Sequence, residues 1–388
     1  MSKWNYVKLG DVCTIERGGS PRPIEKYITQ SEDGINWIKI GDTDNSKYIV
    51  STKQKITNEG ALKSRFVRKG DFLLSNSMSF GRPYILKIDG CIHDGWLVIR
   101  DNNSLFDKNY LYYYLSSPIM FNHFKSLAVG GVVNNLNSKM VRNVSVALPP
   151  IYEQKRIALT LDIISELLSR YNLLIEKINQ LIKSRFVEMF GDPIINPHNW
   201  RKVPLEELAE IKIGPFGSLL HKEDYTNNGH ALVNPSHIKE DKIIVDNSLT
   251  VSDEKYAELS AYHLHKNDVV LGRRGEMGRC AVVNDGGLLC GTGSIIIRTN
   301  GVLESDYIQK IISFPSFKKS IEDMAVGQTM PNLNVPIVSK FLIICPPMDV
   351  QKKYYSFVEQ IDKSKLVVKT QIEKLETLKK SLMQEYFG

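Results

Sequence analysis

Three stretches of this 388-residue chain carry residue types whose spacing could do chemistry. The first is Leu148-Pro149-Pro150-Ile151-Tyr152, a Pro-Pro step followed by an aromatic ring. A similar step grips a flipped adenine during N6 methylation, but there an Asn or Asp must precede the prolines to hydrogen-bond the exocyclic amine. Leu148 cannot do so, and no glycine-rich strand–turn–helix that would hold a methyl donor accompanies it. The second is His93-Asp94 in "CIHDGW", an acid–base pair on paper. The third is Glu240-Asp241-Lys242, an acid-x-Lys triplet of the kind nucleases use; no well-placed Asp precedes it. Cys13, Cys91, Cys280, Cys290 and Cys345 are scattered without a Cys-x-x-Cys pair, against a disulfide framework or a zinc site. The chain therefore reads as non-catalytic, and His93-Asp94 as a structural turn.

The elements around these stretches are written twice. "EKINQLIKSRFVEMFG" (176–191) aligns without a gap on "EKLETLKKSLMQEYFG" (373–388), an offset of 197 that carries Phe190 onto Phe387. At the same offset "SLAVGGVVNNLN" (126–137) falls on "DMAVGQTMPNLN" (323–334), and "LPPIYEQK" (148–155) on "CPPMDVQK" (345–352). Trp4, Val7, Leu9 and Gly18 precede Trp200, Val203, Leu205 and Gly214 by 196 residues. A period near 200 is a tandem duplication of a whole unit. The second copy has Cys345 before its prolines and no Tyr after them, so the Pro-Pro pair marks a strand-to-helix junction.

Each unit opens with a mixed part. "WIKI", "DFLLS", "WLVIR" and "VSVAL" read as strands separated by Gly, Asn, Asp and Pro, and "NYLYYYLSSPIMFNHFKSL" as helix broken near Pro118. Then come about 40 residues, 151 to 190, free of Pro and Gly. Ile164, Leu167, Tyr171, Leu174, Ile178 and Leu181 recur there at steps of three and four, a heptad seam. In the second copy Ile361, Val368, Leu375 and Leu382 keep a seven-residue period, with Ser364 and Gln371 at the alternate position. One long helix with an exposed apolar stripe is unstable alone, so two in one chain are expected to pair. The expected fold is α+β: two tandem repeats, each an α+β domain followed by a long helix, the helices forming an antiparallel coiled coil. The boundaries are 1–150, 151–192, 193–347 and 348–388.

Residues 1–150 hold 20 basic and 13 acidic side chains, whereas 193–347 hold 16 and 18. The whole chain carries +7, which permits a polyanionic partner. The second domain concentrates its cations in "LGRRGEMGRC". "MSKWNYVKLGDV" is not a signal peptide, and no apolar run approaches the ~20 residues of a membrane helix. A cytoplasmic, membrane-free setting is expected.

Two variable domains, each followed by a long helix, joined by "NLNSKMVRNVSVALPPIYEQKRI" and again "NLNVPIVSKFLIICPPMDVQKKY", resemble the specificity subunit of type I restriction-modification enzymes. The resemblance spans the chain; Val350 stands where the first copy has Glu153. It implies a non-catalytic reader of double-stranded DNA, each domain taking one half of a split sequence. It implies that the paired helices dock two modification subunits that methylate adenine, joined by restriction subunits that cleave unmethylated DNA. S-adenosylmethionine, ATP and Mg would then reside on those partners, with no cofactor in this chain. The other open classes are a bifunctional modification enzyme, for which no cofactor motif is found, and a coiled-coil scaffold with two protein-binding domains.

Groove reading needs polar and cationic side chains on loops. In the first domain these are Arg17, Ser20 and Arg22 of "ERGGSPRP", with Ser75, Asn76, Ser77 and Arg82 of "SNSMSFGRP". In the second they are Lys212, Ser218 and His221, then Arg273, Arg274 and Arg279. A guanidinium fork serves guanine and phosphate alike, which favours the arginines. Asn135, Asn137, Asn332 and Asn334 precede short apolar helices and read as caps before they read as DNA contacts.

Overall fold

The computed structural model describes residues 4–44, 46–76, 81–128, 135–325 and 332–388, with only the backbone of residues 218 and 325. Ser77 lies outside the described residues. The chain divides into two compact units, Met1–Glu176 with Leu366–Gly388, and Lys177–Lys365. These units are not the sequence repeats, because each takes in the far end of a helix that belongs to the other repeat.

In the first unit a five-stranded sheet runs in the order Cys13–Arg17, Trp96–Asp101, Phe72–Ser75, Pro83–Leu86, Tyr48–Ile49. Trp96–Asp101 lies between two antiparallel partners, with Ile99 opposite both Ile15 and Phe72. Its first four residues are buried, as expected for an apolar strand in mid-sheet. A second sheet joins Ile28–Thr29, Lys55–Ile56, Ile35–Ile38, Gly90–Ile92 and Arg65–Val67. Helices Lys108–Leu115 and Pro118–Ala128 break at Pro118 and pack into the core of the first sheet.

The second unit repeats this plan with local changes. Its strand Ser294–Thr299 sits between Ala209–Ile213 and Val269–Gly272, and a separate sheet centres on His230–Val233 and Leu288–Cys290. In each unit a two-stranded ribbon ties the domain's start to the strand before the prolines: Tyr6–Lys8 with Ser145–Ala147, and Arg201–Pro204 with Leu342–Cys345. The helix starts at once beyond the prolines, and the Pro150 carbonyl accepts from Glu153 and Gln154. Gln154 secures the junction, donating to the Pro149 and Leu105 carbonyls and accepting from the Asp107 N–H.

The long helices, Ile151–Phe190 and Met348–Phe387, pair antiparallel, and each unit contains the reason. In the first, Phe387 stands 5.8 Å from the ring of Tyr110 and 5.2 Å from Tyr114, in one core with Ile157 and Leu161. In the second, Phe190 stands 5.0 Å from Tyr307 and 5.2 Å from Tyr354. Tyr110 and Tyr307 each donate to the strand before the prolines, through the carbonyls of Ala147 and Ile344, both at 3.0 Å. Each helix thus leaves its own domain and ends as part of the core of the other. A helix docked only on its own domain would leave these aromatic sockets empty.

The seam in the first helix departs from the expected one. Ile164 is buried and Tyr171 and Ile178 are half-buried, but Leu167, Leu174 and Leu181 are 38%, 41% and 48% exposed. The half-buried alternates are their neighbours Leu168, Ile175 and Ile182. The physical reason is that apolar pairs at 167/168, 174/175 and 181/182 support either alternate register, and sequence spacing alone does not choose. In the second helix Ile361, Val368, Leu375 and Leu382 are half-buried. The alternate positions there are Lys365, in place of the exposed Ser364, then Ile372 beside the likewise half-buried Gln371, and Lys379. Lys365 Nζ donates to Asn179 Oδ1 at 2.6 Å, a polar contact within the second unit's stretch of the seam.

Candidate nucleic-acid interface

Strands Cys13–Arg17 and Trp96–Asp101 end beside each other, with Leu97 opposite Arg17. Beyond them the chain crosses the turn at residues 93–95 at very close range. The Gly18 N–H donates to the Trp96 carbonyl at 2.9 Å, and a Cβ on Gly18 would lie 2.1 Å from the His93 carbonyl oxygen. Only glycine permits that approach. The second unit makes the same crossing: Gly214 N–H donates to the Ser294 carbonyl at 2.9 Å, and a Cβ there would lie 2.1 Å from the Gly291 carbonyl oxygen.

This crossing brings the first domain's candidates together around Asp94. Ser20 Oγ donates to Asp94 Oδ1 at 3.0 Å, and Arg22 lies 3.6 Å from Oδ2. The Asp94 main-chain carbonyl accepts from Arg17 Nε at 3.0 Å and from Asn76 Nδ2 at 2.9 Å. Partial burial pushes the Asp94 carboxyl upward, but the Ser20 hydroxyl, its own backbone N–H, His93 and Arg17 together hold it below the usual range. His93 is lowered mainly by burial, against the pull of Asp94. Its ring nitrogens face the N–H groups of Ile40, at 3.1 Å, and Gly95, at 2.7 Å. His93 is thus a half-buried wedge beneath the turn, in a structural setting.

Not all candidates reach this surface. Asn76 is only 2% exposed; it was expected on a groove-entering loop, but its amide is spent on Asp94 and its carbonyl accepts from Leu136 N–H. Ser75 is buried as well. Arg82 is exposed but stands apart, donating to the Asp44 carbonyl at 3.1 Å and lying over the Tyr84 ring.

In the second domain Arg273 takes the place of Asn76. Its Nε donates to the Leu333 carbonyl at 3.0 Å and its NH1 approaches the Thr292 carbonyl at 3.4 Å, while the Leu333 N–H returns a bond to the Arg273 carbonyl. Burial and the neighbouring Arg274 lower its guanidinium pKa, without removing the charge an arginine keeps. Arg279 is committed inside the chain, donating to Glu276 at 2.8 Å and to the Pro235 carbonyl at 3.3 Å. Arg274 is exposed on the same loop. Lys212 lies 4.9 Å from the Tyr262 ring, and the exposed His221 opens a turn by donating its N–H to Asp224. Ser218 belongs to the short turn Gly217–Leu219.

Asn137 and Asn334 cap the short helices after them, accepting from Met140 and Ile337 at 2.9 and 3.0 Å. The residue that sequence reasoning missed as an organiser is Asp94. The signal was an Asp-Gly turn next to a histidine, but its partners Arg17 and Ser20 lie 77 and 74 residues away in sequence, and Asn76 lies on another loop. Also missed was Asp162 on the first helix. It receives Lys47 Nζ at 2.6 Å, Tyr113 OH at 2.7 Å and Asn109 Nδ2 at 2.9 Å, and so ties the first domain to the helix. Among the described residues no group of three or more His, Cys, Asp or Glu is placed to hold a metal ion, and no helix is long and apolar enough to cross a membrane.

Comparison with known proteins fits this geometry. The sequence model described as "Type I restriction modification DNA specificity domain" matches residues 1–184 and again 197–377. The MjaVIII type I restriction enzyme specificity subunit of Methanocaldococcus jannaschii is 21% identical over 98% of this chain and 91% of its own length. A chain solved in work on complex assembly and conformational transition of the type I restriction-modification system is 18% identical. It aligns over 99% of this chain and 97% of its own, with a TM-score of 0.62. The type I S subunit from M. genitalium aligns over 100% and 96%, at 16% identity and a TM-score of 0.56. At these identities the structural likeness is one of fold.

Proposed function

Since the chain belongs to the type I restriction-modification DNA specificity family, we propose that it reads a bipartite DNA sequence, one half through each domain. The observation that carries this reading is the repeated loop architecture: in both units a glycine crossing and a pinned loop base (Asn76, Arg273) present exposed arginines at one edge. Arg17 and Arg22 in the first domain and Arg274 in the second are exposed there. Guanidinium forks suit guanine edges and phosphates, so binding is salt-dependent through counterion release.

The chain acts without catalysing. Adenine methylation, with its S-adenosylmethionine, belongs to two docked modification subunits, and ATP- and Mg-dependent cleavage to restriction subunits. The docking surface is the face of the helices turned away from their seam. Leu159 is 61% and Ile163 50% exposed, and with Leu167 and Leu174 they form a second apolar stripe at helical spacing. Leu366 and Val367 are likewise exposed on the second helix. A stripe of this kind fits a partner helix. The working compartment is the cytoplasm.

The test is methylation mapping of cells that express this chain with a type I modification subunit. A split adenine-methylated motif that disappears when this chain is deleted supports the reading. Leaving out the chain without changing any methylated motif refutes it and favours a protein-binding scaffold. Ile163→Lys with Leu167→Lys should abolish co-purification of the modification subunit while the melting temperature stays within about 2 °C, as for exposed positions.

A further inference from the structure

We propose that Asp94 is a specificity-determining positioning residue of the first recognition domain, holding Arg17, Ser20 and Arg22 of one loop and Asn76 of another in the arrangement that reads the first half-sequence. The inference rests on the DNA-reading function above and names a residue that acts through its neighbours.

The geometry is that of a hub. The Asp94 carboxylate takes Ser20 Oγ at 3.0 Å and faces Arg22 at 3.6 Å, while its carbonyl takes Arg17 Nε and Asn76 Nδ2. The Asp94 side chain is 44% exposed and that of Arg22 84%, so the carboxylate stands at the surface the arginines present. A negative charge there repels phosphate and would weaken a surface built only for backbone binding. It makes sense where the orientation of a guanidinium fork matters more than total attraction. The fold of the repeat does not require the acid. In the second unit the equivalent carbonyl belongs to Thr292, which Arg273 approaches at 3.4 Å, so a threonine stands where the first unit has the acid.

A library of duplexes randomised over the recognised length is offered to the full-length parent, Asp94→Asn and Ser20→Ala, and the bound fractions are sequenced. A salt titration on one random duplex accompanies each. For Asp94→Asn the expected result is at least a tenfold loss of enrichment at the first half-sequence, with the second half enriched as in the parent. Binding to the random duplex should hold or rise, and its salt slope should steepen by up to about one as Arg22 is freed. Ser20→Ala removes one anchor without changing charge, and should weaken first-half enrichment partially with an unchanged salt slope. Should Asp94→Asn unfold the first domain, seen as loss of its thermal transition, the Ser20→Ala result decides. Unchanged first-half enrichment in the folded variants overturns the inference, as does an equal loss at both halves. A parent that enriches no sequence overturns the DNA-reading function itself, a result distinct from either.

Discussion

Replacing Asp162 with Ala tests whether one carboxylate fastens the first domain to the first long helix. Asp162 receives three donors, Lys47 Nζ at 2.6 Å, Tyr113 OH at 2.7 Å and Asn109 Nδ2 at 2.9 Å, and Lys47 also reaches Asn109 Oδ1 at 3.1 Å. The Lys47 and Asp162 side chains are 18% and 30% exposed, so water reaches the pair only at its edge. Removing one partner of a buried ion pair costs about 3–5 kcal/mol, and a hydrogen bond to a charged group is worth about 1.5–3 kcal/mol. Discounted for the exposed edge, about 2–3 kcal/mol is expected for Asp162→Ala. Burial lowers the pKa of the nearby Lys379 while Asp162 pulls it up and Lys47 pushes it down. The substitution therefore also leaves two lysines facing each other, which adds to the loss. Asp162→Asn keeps the shape and should cost about half as much. The assay is urea unfolding followed by tryptophan fluorescence in a Trp200→Phe background, because Trp4, Trp37 and Trp96 then all report on the first unit. A double-mutant cycle with Lys47→Met should give a coupling of at least about 1 kcal/mol. An Asp162→Ala variant within 0.5 kcal/mol of the parent would show that the cluster is surface decoration.

Two further outcomes follow from the same geometry. His93 has a lowered pKa in the folded chain, mainly through burial, so below the ordinary histidine value of about 6.5 the unfolded chain binds the proton more readily and stability falls. A neutral ring can accept from only one of Ile40 and Gly95 N–H, and a protonated ring from neither; the melting temperature of the first domain should drop from pH 7 to 5, and His93→Gln should flatten that slope. In the helix pair, Leu168→Ala should cost about 1–2 kcal/mol and Leu167→Ala less than about 0.5 kcal/mol by thermal unfolding, and equal costs would mean that the seam is not in the observed register.

What could be read ahead of the structure divides along the range of the interactions. The duplication, the two α+β domains and the long helices announce themselves in local pattern: a 197-residue offset, strand-length apolar runs, 40 residues without Pro or Gly. The Pro-Pro junction was legible too, because a strand end and a helix start are local events. The alternate seam position was not, since Leu167 and Leu168 are equally apolar and only the partner helix chooses between them. The loop candidates were legible as residue types but not as roles. Asn76 has a reader's chemistry and is buried, while Asp94 has the wrong charge for DNA and gathers Arg17, Ser20, Arg22 and Asn76 around it. Asp162 and Lys47 meet across 115 residues, a pairing no spacing rule encodes.

The exchange of helix ends also sets an order of completion during synthesis. The second unit, Lys177–Lys365, has all of its chain once residue 365 leaves the ribosome. The first unit holds residues 1–176 yet lacks Phe387 and Met383, which belong to its core, until the second helix has been made. The domain translated first is therefore the last to be finished. Until then its Tyr110 and Tyr114 rings lack the phenylalanine that covers them. Removing residues 383–387 would consequently injure the first unit's core and leave the unit Lys177–Lys365 whole.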